Sequence, residues 1–161
     1  MSIFLVENLT RNQIPLAYPL VREVLPALEP RQWTRLARRL TDPHRASQAG
    51  ILVVRRRAQP FPCGLVCYRR EHDLIHHAML TAEYFIALDV LDPLPALSAL
   101  VVELEGIANR LGCRAIRCIL QGSALDLAPP LLAAGHQRGG SLLLKVFDRQ
   151  TAPAAVSIFD G

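Results

Sequence analysis

The sequence is poor in lysine and in aromatic residues. Lys145 is the only lysine, so the net charge of +4 comes almost entirely from arginine. Aromatic residues make up 6% of the chain, and only Trp33 lies near the densest arginine groups, Arg35–Arg39 and Arg55–Arg57. Because nucleic acids are commonly bound by aromatic side chains interleaved with basic ones, this pattern disfavours a nucleic-acid partner. It leaves a modest attraction for anionic ligands.

Long apolar runs and leader-like features are also lacking. No apolar run reaches the roughly 20 residues that a bilayer-crossing helix needs, so we expect no membrane partner. The first seven residues lack the basic region and the cleavage site of a signal peptide. These two absences lead us to expect a soluble cytosolic protein.

Motifs for metals, phosphates and acyl-enzyme chemistry are missing as well. The four cysteines form no Cys-x-x-Cys pair, so reduced and buried thiols are expected rather than zinc ligands. His76 and His77 lie beside His72 and Asp73, but neighbouring residues of a strand face opposite ways, so we predict a solvated turn and no metal. No Gly-rich phosphate loop, Gly-x-Ser-x-Gly elbow or His-Glu-x-x-His run occurs.

The apolar patterns predict one α/β domain over residues 1–150 and a C-terminal tail over residues 151–161. The predicted strands are Ile3–Val6, Ile51–Arg56, Cys63–Arg70, Ala78–Val90, Ala115–Leu120 and Ser141–Phe147. The predicted helices are a first one from Thr10 or Asn12 to Leu28 that Pro19 should kink or interrupt, then Pro30–Leu40, Leu97–Leu111 and Pro129–Gly135. An antiparallel hairpin followed by crossovers of parallel type indicates a mixed α+β sheet with helices on both faces.

Two segments carry a resemblance to a known family. Ala99–Cys113 is a long amphipathic helix that ends in Gly-Cys, and Leu131–His136 closes a short helix at its glycine. Together with the order of the elements, they resemble the GCN5-related N-acetyltransferase (GNAT) superfamily over nearly the whole chain. The resemblance implies an acetyltransferase-like fold and an acyl-CoA-dependent N-acyltransferase. Its acceptor would be an amine of a small molecule or a peptide.

The resemblance also implies roles for particular residues. Glu83, in the run Ala82–Leu88, looks like the glutamate that serves as general base in the histone-acetylating branch. The alternative is a carboxylate that faces solvent or pairs with an arginine. Backbone groups of Leu88 and Val90 match the strand end that holds the pantetheine arm. The N–H groups of Ala96, Leu97, Ser98 and Ala99 would face the cofactor diphosphate from a helix amino terminus.

The cofactor loop departs from the family pattern, Arg/Gln-x-x-Gly-x-Gly/Ala, at Asp92, Pro95 and Leu97. Pro95 has no N–H to donate, Leu97 adds a side chain where glycine would let the backbone approach, and Asp92 adds a negative charge. Two lost hydrogen bonds to a charged group would cost about 3–6 kcal/mol. Acetyl-CoA or another acyl-CoA is therefore the expected cofactor, with binding that these three residues weaken.

The family's acid, a tyrosine, falls at Leu131, which cannot donate a proton. Cys118, Ser123 or a bound water would have to replace it. Two hypotheses follow. The first is a divergent N-acyltransferase with Glu83 as base. The second is a catalytically inactive module of the same fold that senses a ligand or binds a protein, with a homodimer as one form. Nothing in the sequence names the acceptor.

Overall fold

Five strands form the central sheet of the computed structural model, which describes residues 2–147. In chain order and in sheet order they are β1 (Phe4–Asn8), β2 (Ala49–Arg56), β3 (Gly64–Asp73), β4 (His77–Ala87) and β5 (Ala115–Cys118). The first four are antiparallel to their neighbours, and β5 runs parallel to β4. The helices are α1 (Ile14–Val24), α2 (Pro30–Leu40), α3 (Leu94–Arg110) and α4 (Ala128–Ala133). The predicted mixed α+β sheet is confirmed.

Helices cover both faces of the sheet because successive strand residues point to opposite sides. In β2, Leu52 and Val54 join the core beneath α3, whereas Ile51 and Val53 join the core beneath α1 and α2. All four side chains are buried, which explains why this strand reads as a continuous apolar run. The sheet therefore has an α3 face and an α1/α2 face.

On the α1/α2 face, the single tryptophan joins α2 to α1. Trp33 of α2 is 2% exposed, and its indole Nε1 donates a hydrogen bond of 2.8 Å to the carbonyl of Ile14 at the start of α1. The predicted interruption at Pro19 is wrong, because α1 is continuous from Ile14 to Val24. The carbonyl that Pro19 leaves without its helical partner belongs to Pro15, in the first turn, where the loss costs the helix only one bond.

The predicted strand Ser141–Phe147 is also wrong. These residues are exposed and have no regular secondary structure. A short apolar run becomes a strand only where a neighbouring edge pairs with it, and β5 has β4 as its single partner within the part of the chain that is described. The other edge of β5 borders an open groove of about 1160 Å³. The tail over 151–161 and the boundary at 150 lie outside the described residues, so that domain prediction stays a prediction.

None of the helices within residues 2–147 is long and apolar enough to cross a membrane.

Candidate active site

The pairing of β4 with β5 ends part-way along β4. The two strands are in register from Met79 and Ala115 to Ala82 and Cys118, and beyond this pair the Ile119 N–H donates to the Ala82 carbonyl at 2.9 Å. Beyond this point β4 continues to Ala87 with β3 as its neighbour. In sheets of this kind, ligands bind in crevices at the carboxyl ends of parallel strands. The first residue of β4 past the last pair is Glu83.

A β-bulge shapes β4 at this point. Leu65 pairs with Ile86 and Cys67 pairs with Glu83, so one residue of β3 faces two residues of β4, Tyr84 and Phe85. Tyr84 has a φ of 56°, in the left-handed region that residues other than glycine and asparagine rarely adopt. Phe85 and Ile86 are each 3% exposed and pack into opposite cores, which holds the strained backbone in place. Bulges of this kind re-aim side chains next to functional sites.

Glu83 lies buried on the α1/α2 face, opposite Cys67. Its residue is 3% exposed, which rules out the solvent-facing alternative, and its Oε1 has no hydrogen-bond partner among the described residues. Burial raises the pKa of Glu83 to about 8, the nearby Arg69 guanidinium opposes this rise, and the Glu71 carboxylate adds to it. A carboxyl with a pKa near neutrality and a free oxygen can accept a proton from a substrate amine.

Glu71, a second carboxylate on this face, already has hydrogen-bond and ion-pair partners. It forms an ion pair with Arg69, accepts a hydrogen bond of 2.6 Å from the Thr81 hydroxyl and lies 3.6 Å from Arg117. These side chains are partly exposed, so each ion pair contributes about 0–1 kcal/mol to stability. Their effect on the site is electrostatic, because Glu71 is a fixed negative charge that disfavours ionisation of Glu83.

Several N–H groups of the loop between β4 and α3, and of the first residue of α3, already have partners within the chain. The Leu88 N–H donates to the Cys63 carbonyl at 2.8 Å, which extends the pairing with the start of β3. The Leu91 N–H donates to the Asp89 carboxylate at 3.2 Å, and the Leu94 N–H donates to the Asp92 carboxylate at 3.0 Å. Two backbone N–H groups in this region therefore donate to carboxylates of the loop itself.

The start of α3 offers few further donors. The helix begins at Leu94, one turn earlier than predicted, so Ser98 and Ala99 fall beyond the first turn, where N–H groups bond to carbonyls of the same helix. The Leu97 N–H donates to the Pro93 carbonyl at 3.0 Å. Ala96 is the remaining predicted donor, on a residue that is fully buried. The assignment of these four residues to cofactor binding stays a prediction.

Leu97 differs from its expected place in the loop. Its side chain is 1% exposed and packs in the core beneath α3, so it does not stand between the backbone and a phosphate. The expectation that its side chain obstructs the approach is wrong, because Leu97 lies on the buried face of the helix with Leu100 and Leu104, as their spacing predicts. Two expected obstacles to binding of a diphosphate remain: Pro95 has no N–H, and the loop carries the carboxylates of Asp89 and Asp92.

Asp89 was missed from the sequence. Its carboxylate lies 2.6 Å from the Arg56 guanidinium, and its side chain is 6% exposed. The N–H of Leu91 and the Arg56 side chain hold its pKa below the usual value. Arg56 in turn stacks 5.1 Å from the centre of the Phe4 ring. The sequence analysis placed Asp89 inside the predicted strand Ala78–Val90, whereas β4 ends at Ala87 and Asp89 lies in the loop. Val90, which follows, is fully exposed.

The candidate acids do not meet Glu83 on one face of the sheet. Cys118 pairs with Ala82 and packs with the α3 core, so it projects away from Glu83. Burial raises the pKa of Cys118 to about 12, and its Sγ lies 3.5 Å from the His136 Nε2. Leu131 is buried in the same core, and Ser123 is exposed. Within residues 2–147 no group of three or more His, Cys, Asp or Glu residues is arranged to hold a metal.

The fold that surrounds this site is the acetyltransferase fold of the GNAT superfamily, so the resemblance predicted from the sequence is confirmed at the level of the fold. Comparison of the sequence with protein-family models and with curated proteins finds no match.

Solved structures with this fold include three N-acetyltransferases. An aminoglycoside N-acetyltransferase, AAC(6′)-Iy, in complex with CoA is 9% identical with a TM-score of 0.75, covering 92% of this chain and 95% of that one. Glucosamine-6-phosphate N-acetyltransferase from Arabidopsis thaliana is 11% identical with a TM-score of 0.73, and the match covers 91% of this chain and 100% of that one. Ribosomal-protein-alanine N-acetyltransferase from Brucella melitensis biovar Abortus 2308 is 14% identical with a TM-score of 0.71, covering 90% and 99%. At these identities the likeness shows the fold.

Proposed function

We propose that the protein is an N-acyltransferase that moves an acyl group, with acetyl as the simplest case, from a pantetheine thioester to an amine. The observation that carries this proposal is the position of Glu83, a buried carboxyl with a free oxygen at the point where β4 and β5 part. The solved neighbours support an acyl-CoA donor, since AAC(6′)-Iy was obtained with CoA and with a bisubstrate analogue of CoA.

Glu83 acts as the general base in this proposal. Its ionised carboxylate takes a proton from the acceptor ammonium, the free amine attacks the thioester carbonyl, and the C–N bond forms as the C–S bond breaks. A positioned base of suitable pKa contributes roughly 10²–10⁴-fold to rate. Because Glu83 faces α1 and α2, the acceptor enters from that side of the sheet. The acceptor class is a primary amine of a small molecule or a peptide.

In this proposal the attacking nitrogen gives up its second proton to water as the C–S bond breaks, and water returns a proton to the leaving thiolate. Cys118 projects from the other face, and its pKa of about 12 lies well above the value of roughly 8.5 for an ordinary thiol. Proton transfer from Cys118 to a thiolate would therefore be uphill by about 5 kcal/mol. Ser123 lies in the 3-10 helix Gly122–Leu127 that follows β5 and is exposed.

A second candidate is the catalytically inactive module, and the loop favours it. With the donors of Leu91 and Leu94 occupied by Asp89 and Asp92, the grip on a diphosphate is weak. A protein that binds no acyl donor would keep the fold and lose the reaction. Such a module would sense a ligand or bind a protein partner, including a second copy of itself.

Two measurements on the same preparations separate these candidates. The first is thiol release from acetyl-CoA with a panel of amines, and the second is the melting temperature with acetyl-CoA at millimolar concentration, which rises by mass action if the donor binds. We expect turnover that Glu83→Gln lowers by about 10²–10⁴-fold while the melting shift persists. The control is Glu105→Gln, an exposed carboxylate on α3. Absence of both signals with every acyl thioester tested would favour the inactive module.

A further inference from the structure

We propose that the outward side of α2 binds an acidic segment of a partner polypeptide. This surface, the arginine face, is formed by the exposed side chains of Arg31, Arg35 and Arg38. The inference goes beyond the proposed acyl transfer and does not depend on it. It is carried by the position of the three arginines, by the concentration of charge around them and by their lack of local partners.

The arginine face lies on a helix that is anchored from its other side. Positions separated by four and then three residues share one face of a helix. The opposite face of α2 is buried and contains Trp33, Ala37 and Leu40. The Trp33 indole also donates a hydrogen bond of 2.8 Å to the Ile14 carbonyl of α1. Because this packing fixes the rotation of α2 about its axis, the arginine face is directed at solvent.

Most of the net charge of the chain is concentrated around this helix. Residues 29–45 contain five arginines and two acidic residues, a net charge of +3, whereas the whole chain carries +4. Neither acidic residue lies within α2. Glu29 precedes the helix, and Asp42 follows it and accepts a hydrogen bond of 3.0 Å from the His44 N–H. The positive potential is therefore local and favours an anionic partner at this surface.

The arginine face is not neutralised by neighbouring side chains. Among residues 2–147, Arg31, Arg35 and Arg38 form no ion pair with a carboxylate. Arginines of the sheet do form such pairs, as Arg55 and Arg56 show. Like charges one helical turn apart also repel each other and destabilise the helix. An arrangement that opposes its own helix without a compensating contact is typical of a functional surface.

The spacing of the arginines fits an extended anion that carries several charges. With a rise of about 1.5 Å per residue, Arg31 and Arg35 are about 6 Å apart along the helix axis, and Arg38 lies about 4.5 Å further on. An extended polypeptide places the side chains of one side about 6.6 Å apart, so alternate carboxylates come opposite successive arginines. Guanidinium groups bind carboxylates through two parallel hydrogen bonds. A small anion reaches only part of this face.

The burial of the tryptophan disfavours a nucleic acid as the partner. Single strands are bound largely by stacking of their bases on exposed aromatic rings. Trp33, the only aromatic residue of α2, is 2% exposed and lies on the opposite face of the helix. An acidic polypeptide is therefore the partner class that the arginine face favours. Bound there, it lies on the side of the sheet that Glu83 faces.

Binding of a fluorescein-labelled oligoglutamate tests the inference. A peptide of about ten residues, about 33 Å long when extended, spans the arginine face, and an oligoglutamine of the same length is the neutral control. We expect fluorescence anisotropy to show binding of the oligoglutamate that weakens as salt is added. Absence of binding at low salt, or equal binding of the oligoglutamine, would overturn the inference.

Two triple variants with the same net charge locate the binding. The first replaces the arginine face and combines Arg31→Gln, Arg35→Gln and Arg38→Gln. The second replaces exposed arginines outside α2 and combines Arg11→Gln, Arg114→Gln and Arg138→Gln. At about two- to fivefold for each surface pair, the first should weaken binding by roughly ten- to a hundredfold, and the second by less than about threefold. An equal loss in both variants would overturn the inference, since net charge and not the position on α2 would then determine binding.

The melting temperature shows whether the arginines have a structural role instead. Because the first variant removes like charges from one helix face, it should melt at or above the temperature of the parent protein. A lower melting temperature would indicate that the arginines stabilise the fold and would count against a binding surface. If that variant does not fold, the single charge reversal Arg35→Glu takes its place and should weaken binding at least about fivefold.

Competition with a short DNA duplex tests the class of the partner. We expect the duplex to displace the labelled oligoglutamate no better than unlabelled oligoglutamate does at the same salt concentration. Tighter binding of the duplex, lost in the variant that lacks the arginine face, would assign this surface to nucleic acid and overturn the inference.

Discussion

Replacing Glu83 with glutamine is expected to change how the stability of the protein depends on pH. Burial raises the pKa of Glu83 from 4.5 to about 8 in the folded protein. Between these values the folded state holds a proton that the unfolded chain has released. The free energy of unfolding therefore falls as pH rises, by about 1.4 kcal/mol per pH unit. The stabilisation is complete below pH 4.5 and is lost as pH passes through about 8.

The total loss between these limits is on the order of 5 kcal/mol. This is a large part of the 5–15 kcal/mol that is roughly typical of a domain. Glutamine has the shape of the protonated side chain and does not ionise. We therefore expect the variant and the parent protein to be similar in stability at pH 5. At pH 9 the variant should be more stable by several kcal/mol, about the size of the total loss.

Urea denaturation from pH 5 to pH 9, followed by the fluorescence of the single buried tryptophan, Trp33, measures this difference. Taking the difference between variant and parent cancels the titration of groups that both share. Glu105→Gln, on an exposed carboxylate, is the control and should follow the parent at every pH. Parallel curves for Glu83→Gln and the parent from pH 5 to pH 9 would refute the claim that Glu83 is buried with a raised pKa.

Three further substitutions test the fold and the site. Gly64→Ala places a Cβ 2.9 Å from a backbone carbonyl oxygen of β4 and should lower the free energy of unfolding in urea by about 1–3 kcal/mol. Its control is Gly139→Ala, where the added Cβ has nothing within 4 Å and the free energy of unfolding should change little. Leu100→Ala in the α3 core should cost about 2–5 kcal/mol, against less than about 0.5 kcal/mol for the exposed Val102→Ala. Cys118→Ser should keep kcat within about threefold of the parent, since loss of a catalytic acid would lower it by roughly 10²–10⁴-fold.

The fold could be predicted because its main elements have apolar patterns of unambiguous period. The continuous apolar run in β2 and the helical spacing of Leu97, Leu100 and Leu104 are decided locally, and both are buried as expected. The pattern of Ser141–Phe147 is equally clear, yet these residues form no strand. The spacing of apolar residues shows which conformation a segment favours. It does not show whether the edge of a neighbouring strand pairs with that segment.

The site was harder to predict because its details depend on where elements begin and on contacts between distant residues. Glu83 was identified by resemblance, but its burial opposite Cys67 follows from the register of the β3–β4 pairing, which the sequence alone does not give. The ion pair of Asp89 joins residues 33 positions apart, which no local pattern reveals. Because α3 begins at Leu94, Ser98 and Ala99 lie beyond its first turn and not at its amino terminus. The ends of helices and strands are the features that a sequence predicts least well.

The pH dependence of kcat/KM tests the central claim, that Glu83 is the base, most directly. With acetyl-CoA and one accepted amine, the parent protein should gain activity as pH rises and level off above about pH 8, where Glu83 is ionised. Glu83→Gln should be slower and should lose this inflection. An inflection near pH 8 that persists in Glu83→Gln, or full activity in that variant, would contradict the account.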